Sequence, residues 1–163
     1  MSDHPTFKIR SGEVSDIDEI VRITNAAYAV ELFCIEGDRT DSADVRTQMV
    51  EGRFLVAQQS TMPTQLIGSV YLSIRAERAY MGMLAVDPPF QGKGIAKTLI
   101  ESVEQCCAEA GAKFLEITVI NLRTELFPFY SSLGFVPAET EPYFRPAKAL
   151  RPLHLVRMTK ILR

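Results

Sequence analysis

An excess of charge of either sign is the first thing this sequence lacks. Eighteen lysines and arginines stand against twenty aspartates and glutamates, a net charge of −2 over 163 residues. No broad electrostatic footprint for nucleic acid or an anionic membrane follows from that balance, so any anion site must be local. Cysteine is scarce too. Cys34, Cys106 and Cys107 form an odd set, and adjacent cysteines in a helix cannot easily bridge each other. A disulfide framework is therefore not expected, and a reducing compartment is. The opening stretch MSDHPTFKIR lacks the apolar core of a signal peptide, and no apolar run approaches the length of a membrane span. The expected location is the cytoplasm, without a membrane partner. No metal-ligand spacing is present, so no metal is expected. Internal repeats, low-complexity tracts and flexible linkers are missing as well. With 47% hydrophobic residues the chain can bury roughly 70% of the surface its unfolded form exposes, which predicts one domain over residues 1–163.

What is present concentrates between Met81 and Ile100, in MGMLAVDPPFQGKGIAKTLI. An apolar strand ends at Val86, a Pro88-Pro89 corner blocks its continuation, and Gly92, Gly94 and Ala96 surround the start of a helix. Backbone N–H groups at such a start have no helical acceptor and point outward, where phosphate oxygens can pair with them. The small side chains let a ligand approach the backbone, and the positive end of the helix dipole favours an anion. Lys93 and Lys97 either add full charge to this site or are ordinary solvated residues. Two familiar phosphate loops do not fit. A G-x-x-x-x-G-K-[ST] loop using Lys97 and Thr98 needs glycines where Gln91 and Ala96 stand. A G-x-G-x-x-G fingerprint beginning at Gly92 needs glycine or alanine where Lys97 stands.

Periodicity supplies the frame around this turn. Phe7 to Arg10 reads as a strand, and Ser15 with Asp18 as a capping box for a helix reaching about Val30 that buries Ile17, Ile20, Val21, Ala27 and Tyr28. The pattern breaks around Gly37, so Glu31 to Asp41 is expected to be a lid or substrate loop. A second helix follows from Ser42 to Glu51, with Val45 and Met49 inward. Phe54 to Gln58 and Leu66 to Ser73 are expected to be antiparallel neighbours joined through STMPT, and Tyr80 to Val86 is the next strand. The helix after the turn presents Ile95, Leu99, Val103, Cys106 and Ala110 on one face and ends at Gly111. Phe114 to Ile120 should then return as a strand parallel to the one before the turn. A last helix carries Phe129, Tyr130 and Leu133, with Pro128 suited only to its first turn, and Phe135-Val136 and Leu153 to Lys160 close the sheet.

Gln91, Gly94 and Ala96 satisfy [QR]-x-x-G-x-[GA] in place. With the ordered strand, helix, strand to Asn121 and PFYSSLGF around them, the chain resembles the GNAT superfamily of N-acetyltransferases. The resemblance implies a mixed α/β fold: a central, mostly antiparallel twisted sheet with a parallel, splayed central strand pair, flanked by helices. It implies acetyl-coenzyme A as co-substrate, with its phosphates on Gln91, Gly92, Lys93, Gly94, Ile95, Ala96 and Lys97 and its thioester against the backbone of Leu84, Ala85 and Val86. The pantetheine arm would lie between the splayed strands like an extra strand. Tyr130 occupies the tyrosine of the (F/Y)Y-x-x-x-GF pattern, present as Phe129-Tyr130 before Gly134-Phe135, and would protonate the departing sulfur. Asn121 matches the asparagine after the fifth strand, which assists cofactor placement, although its distance to Tyr130 is longer than in many relatives. It equally suits a turn that caps the next helix. A wider pattern covers nearly the whole chain and is similar to a group of GNAT-like proteins: NAAY at Asn25 to Tyr28, GDRT at Gly37 to Thr40, and His154, Met158 and Lys160 in a closing H-x-x-x-M-x-K strand. Arg39 and Thr40 then contact the acceptor, or Arg39 pins the loop by a salt bridge.

The expected reaction is direct transfer of an acetyl group from acetyl-coenzyme A to a primary amine, one carried by a small molecule, with no nucleic acid involved and a homodimer left open. Such a transfer needs an uncharged amine, donors for the carbonyl oxygen and an acid for the thiolate. No general base stands out. Relatives often carry a glutamate on the strand before the turn, but here Tyr80, Met81, Gly82, Met83 and Leu84 include no carboxylate. Glu31, Glu36 and Asp38 in the substrate loop could draw in a cationic amine or take its proton through water, or be merely solvated. Glu116 lies on a central strand, and His154 suits packing near the sheet edge. A missing strand carboxylate would also suit a different class, a non-catalytic acyl-coenzyme A sensor or interaction module.

Overall fold

The computed structural model describes residues 5–163, so the first four positions of the stretch read above for a leader lie outside the described residues. Seven strands, β1 (Phe7–Ser11), β2 (Arg53–Gln59), β3 (Leu66–Arg75), β4 (Arg78–Val86), β5 (Phe114–Ile120), β6 (Val136–Pro142) and β7 (His154–Ile161), form one sheet in the order β1-β2-β3-β4-β5-β7-β6. Every neighbouring pair is antiparallel except β4 and β5, which run parallel. The long connection between these two is the helix α3 (Ile95–Ala110), as a parallel crossover requires. The other helices are α1 (Ile17–Tyr28), α2 (Ser42–Glu51) and α4 (Leu126–Ser132). This is the mixed α/β arrangement that the GNAT resemblance implied. No helix among the described residues is long and apolar enough to cross a membrane.

Two apolar layers sandwich the sheet. On one face Ile95, Leu99, Val103 and Cys107 of α3 bury against Ile67, Val70, Met81, Leu115, Ile117 and Met158. On the other, Ile17, Ile20 and Ile23 of α1 and Val45 of α2 meet Phe54, Val56, Leu66, Met83 and Ala85. Burying one such aliphatic side chain fully contributes about 1.5–3 kcal/mol, so these two layers fix which residues of β4 face which helix. Local chemistry sets the helix ends. Asp41 caps α2 by accepting the Asp44 N–H at 2.8 Å, and Gly111 ends α3 in the left-handed region at φ 77°.

Several boundaries differ from the sequence reading. The capping box lies not at Ser15 and Asp18 but at Glu13 and Asp16, on a 3-10 turn (Val14–Asp16) that leads into α1: the Asp16 carboxylate accepts the Glu13 N–H at 2.7 Å and pairs with Arg10 at 2.8 Å. Arg10 sits on β1, six positions earlier, so a contact from the preceding strand selects Asp16 over the residues of the expected cap. α1 stops at Tyr28, and a short 3-10 turn carries the chain from Ala29 to Glu31. On α3 the buried cysteine is Cys107, with Cys106 half-buried against the same layer. β6 runs on to Pro142 because its other edge is open, so prolines 137 and 142 are tolerated there.

Candidate active site

The parallel strands stay together only briefly. Arg78, Ala79 and Tyr80 pair with Phe114, Leu115 and Glu116, and beyond that point β4 and β5 part while both continue. Among the described residues the β4 edge past Tyr80 therefore has no strand to bond, and its backbone N–H and C=O groups open into the gap. A bulge reshapes the same stretch. Gly82 pairs with Tyr71 and Ala85 with Ser69, so Met83 and Leu84 together oppose Val70, and Met83 takes φ +51°. The extra residue exchanges faces. Ala79 and Met81 belong to the α3 layer, but after the bulge Leu84 and Val86 do, while Met83 and Ala85 go to α1. Gly82 has its own reason to lack a side chain: a Cβ there would lie 2.9 Å from the Tyr80 ring, whose hydroxyl meets Thr118 across the gap at 3.3 Å.

At the end of β4 the chain forms a cradle. The Gln91 side-chain amide donates to the Val86 carbonyl at 3.0 Å and braces the corner. Gly92 and Gly94 then take φ of 77° and 82°, and nothing lies within 4 Å of a Cβ built on either. The first bond of α3 is donated by Thr98 to Gly94 O at 3.1 Å, and among the described residues no backbone carbonyl accepts from the amides of Gly94, Ile95, Ala96 or Lys97. Open space, unpaired donors and the positive helix end fit a diphosphate. The cradle leads into a cavity of about 420 Å³ that runs along β4 and β5 to Tyr130, Tyr28, Glu31 and Arg39.

The family model of the acetyltransferase (GNAT) domain matches residues 27–151. The chain belongs to the GNAT acetyltransferase family. This GNAT chain is 26% identical over 145 residues to a mycothiol acetyltransferase of Propionibacterium freudenreichii subsp. shermanii, covering 83% of this chain and 45% of that protein. It spans about half the length of the curated relatives it matches. In fold it is similar to Ard1 from Thermoplasma volcanium, with a TM-score of 0.78 and 20% identity over 96% of this chain and 98% of that one. It is also similar to the PaiA N-acetyltransferase from Thermoplasma acidophilum, solved in complex with coenzyme A, with a TM-score of 0.77 and 19% identity over 96% of this chain and 99% of that one.

Within the GNAT frame, Leu84, Val86, Gln91, Gly92, Gly94, Ile95, Ala96, Lys97 and Tyr130 line the one cavity. Ala85 points instead into the α1 layer, and Lys93 stands on the turn outside the lining. Asn121 lies outside it too. Its side chain accepts the His154 N–H at 2.8 Å while its own N–H donates to His154 O at 3.0 Å, so it clasps the start of β7. Pro128 falls in the first turn of α4, where its missing N–H costs nothing. That helix delivers Tyr130 into a box of edge-on rings, Phe129 at 5.0 Å and Phe135 at 5.6 Å. Burial raises the Tyr130 pKa, with Tyr28 adding in the same direction. Among the described residues no protein group bonds to its hydroxyl.

Glu31, one of the three loop acids named from the sequence, Tyr28 of the NAAY segment and Arg123, which no motif singled out, complete the site. Arg123 donates to Glu31 at 2.7 Å, joining the loop after β5 to the one after α1. Burial raises the Glu31 pKa, against the pull of the Arg123 charge. The Tyr28 phenol is pushed up to about 12, chiefly by burial. Glu116, by contrast, is engaged by Arg78 and by Arg157, the latter at 2.8 Å. Nothing in the letters pairs Glu31 with Arg123, because 92 positions separate them.

Proposed function

We propose that this GNAT chain transfers the acetyl group of acetyl-coenzyme A to the primary amine of a small molecule by direct attack on the thioester. The observation that carries this reading is a single cavity that joins the open amide turn, the parting of β4 from β5 and the buried Tyr130. Acetyl-coenzyme A, when bound, supplies the activated acyl group. The chain does the rest. Amides at residues 92–97 bind the diphosphate, and the unpaired β4 edge at residues 82–86 orients the arm and offers donors where the carbonyl oxygen gains charge. As the acyl–nitrogen bond forms and the acyl–sulfur bond breaks, Tyr130, kept protonated by its burial, donates its phenolic proton to the departing sulfur and regains one from the nitrogen of the new amide. Glu31 takes a proton from the incoming ammonium, directly or through one water. Its raised pKa makes it a stronger base than an exposed carboxylate, and Arg123 holds its orientation.

The test is thiol release from acetyl-coenzyme A with a panel of primary amines, with binding followed separately by calorimetry. Acceptor-dependent release that falls in Tyr130→Phe supports the enzyme. Binding with no acceptor-dependent release across a wide panel would instead identify a sensor of acyl-coenzyme A.

A further inference from the structure

Beside the cavity just described lies a second, of about 520 Å³, between α2, the first residues of β4, and β5, β6 and β7. Arg39, Tyr80, Thr118, Phe144 and Leu155 line both. The charge in the second cavity is lopsided: Arg39, Arg75, Arg78, Arg145 and Arg157 stand against Asp44, Glu116 and Glu141. The glutamates are already engaged. Arg157 reaches Glu116 at 2.8 Å and Glu141 at 2.7 Å, and Arg78 also pairs with Glu116. Asp44 accepts the Thr40 hydroxyl at 2.7 Å and comes no closer to Arg145 than 3.7 Å.

Arg39 and Arg75 form no salt bridge among the described residues, and of these two only Arg39 also lines the first cavity. Its guanidinium is held by the rings of Tyr28 at 5.5 Å and Phe144 at 5.4 Å. Phe144 also carries Arg145, at 5.2 Å. The loop does not need Arg39 as an anchor, because the Asn25 side chain donates to Thr40 O and accepts from Thr40 N, both at 3.0 Å. The nearby carboxylate of Glu31 feels the Arg39 charge but forms no salt bridge with it; Arg123 donates to its Oε2. Aromatic faces fix the plane of a guanidinium and leave its N–H edge for a planar anion, which is the geometry of bidentate carboxylate binding.

We infer that Arg39, at the junction of the two cavities, selects an acceptor that carries a carboxylate beside its primary amine, with Arg145 as a second cation. The inference rests on the acetyltransferase reading of the site. Glu31 and Arg39 then bracket a zwitterion, the acid facing the ammonium and the guanidinium facing the carboxylate. This makes the acceptor class a small amino acid or a compound that presents one.

The experiment uses matched acceptors: a series of α-amino acids, their methyl amides, the amines lacking the carboxyl group, and 1-aminoalkylphosphonates. Thiol release gives kcat/KM for each, and calorimetry gives acetyl-coenzyme A affinity for the wild type, Arg39→Gln and Arg39→Lys. A carboxylate preference of about 10- to 100-fold is expected, the worth of one charge-assisted pair. Arg39→Gln should remove it, mainly through KM, and Arg39→Lys should restore part of it, with acetyl-coenzyme A affinity unchanged in both. A preference for phosphonates over carboxylates would replace the planar anion by a tetrahedral one and overturn the assignment. So would equal or absent turnover of the carboxylate members while acetyl-coenzyme A still binds. Failure of acetyl-coenzyme A to bind the wild type would instead remove the parent reading, and this inference with it.

Discussion

Gly94 offers the sharpest separation of folding from binding. Its φ of +82° lies in the left-handed region, and no atom lies within 4 Å of a Cβ placed on it. A side chain there meets no neighbour, so the folding cost is the backbone term alone, about 1–2 kcal/mol. For a chain of this length that lowers Tm by roughly 2–8 °C, at about 2–4 °C per kcal/mol. Gly94→Ala should show little beyond this. Gly94→Glu carries the same backbone cost and adds a carboxylate in front of the unpaired amides of α3. Losing a charge-assisted contact to the diphosphate costs about 1.5–3 kcal/mol, and the occupied helix end adds about 0.3–1 kcal/mol. Together these predict coenzyme A binding weaker by at least about 20-fold. Calorimetry with coenzyme A, beside thermal unfolding of both variants, measures the two effects independently. A folded Gly94→Glu that binds coenzyme A as tightly as Gly94→Ala would refute the placement of the diphosphate on this turn.

Tyr130→Phe should keep its fold, since the ring box is retained and the hydroxyl has no protein partner among the described residues, yet kcat should drop by about 100-fold or more; an unchanged kcat removes Tyr130 as the acid. Glu31→Gln should lower kcat/KM and abolish the acidic limb of its pH profile. In the wild type that limb lies above the ordinary carboxylate range, because the folded-state pKa is raised. The same shift means that the folded state holds the proton longer than the unfolded one, so Glu31 lowers stability as pH rises from its ordinary value through the raised one. Asp16 behaves oppositely. The hydrogen bond from Arg10 lowers its pKa, so its contribution is present above the ordinary carboxylate value and is lost as pH falls through the depressed one. Asp16→Asn should destabilise by about 1–2 kcal/mol at neutral pH, and denaturant midpoints should converge with the wild type in acid.

Much of the scaffold was legible because its signals are local. Helix α2 begins and ends where Asp41 and the periodicity of Val45 and Met49 place it, and the crossover through α3 dictates a parallel return. The bulge at Met83 was not legible. A run as apolar as Met81 to Val86 reads equally well on either face, and only packing against two different helices shows where the alternation changes. The ion pair of Glu31 with Arg123 and the clasp of Asn121 on His154 escaped for another reason: each joins loops far apart in the chain, and neither partner carries a spacing that names the other. The Asp16 cap escaped although it is local: Arg10, only six positions earlier, pairs with it from the end of β1, a contact that no helix-capping spacing encodes.

The seam between β4 and β5 has a mechanical consequence. With pairing confined to the stretch from Arg78 to Tyr80, two half-sheets are joined at one end like the blades of tongs, and one apolar layer beneath α3 spans both. On the opposite face, among the described residues, the seam is bridged by polar contacts, Tyr80 to Thr118 and Arg78 to Glu116. A widening of the seam would break that polar bridge before it strained the shared layer under α3, at whose foot the open amide turn lies.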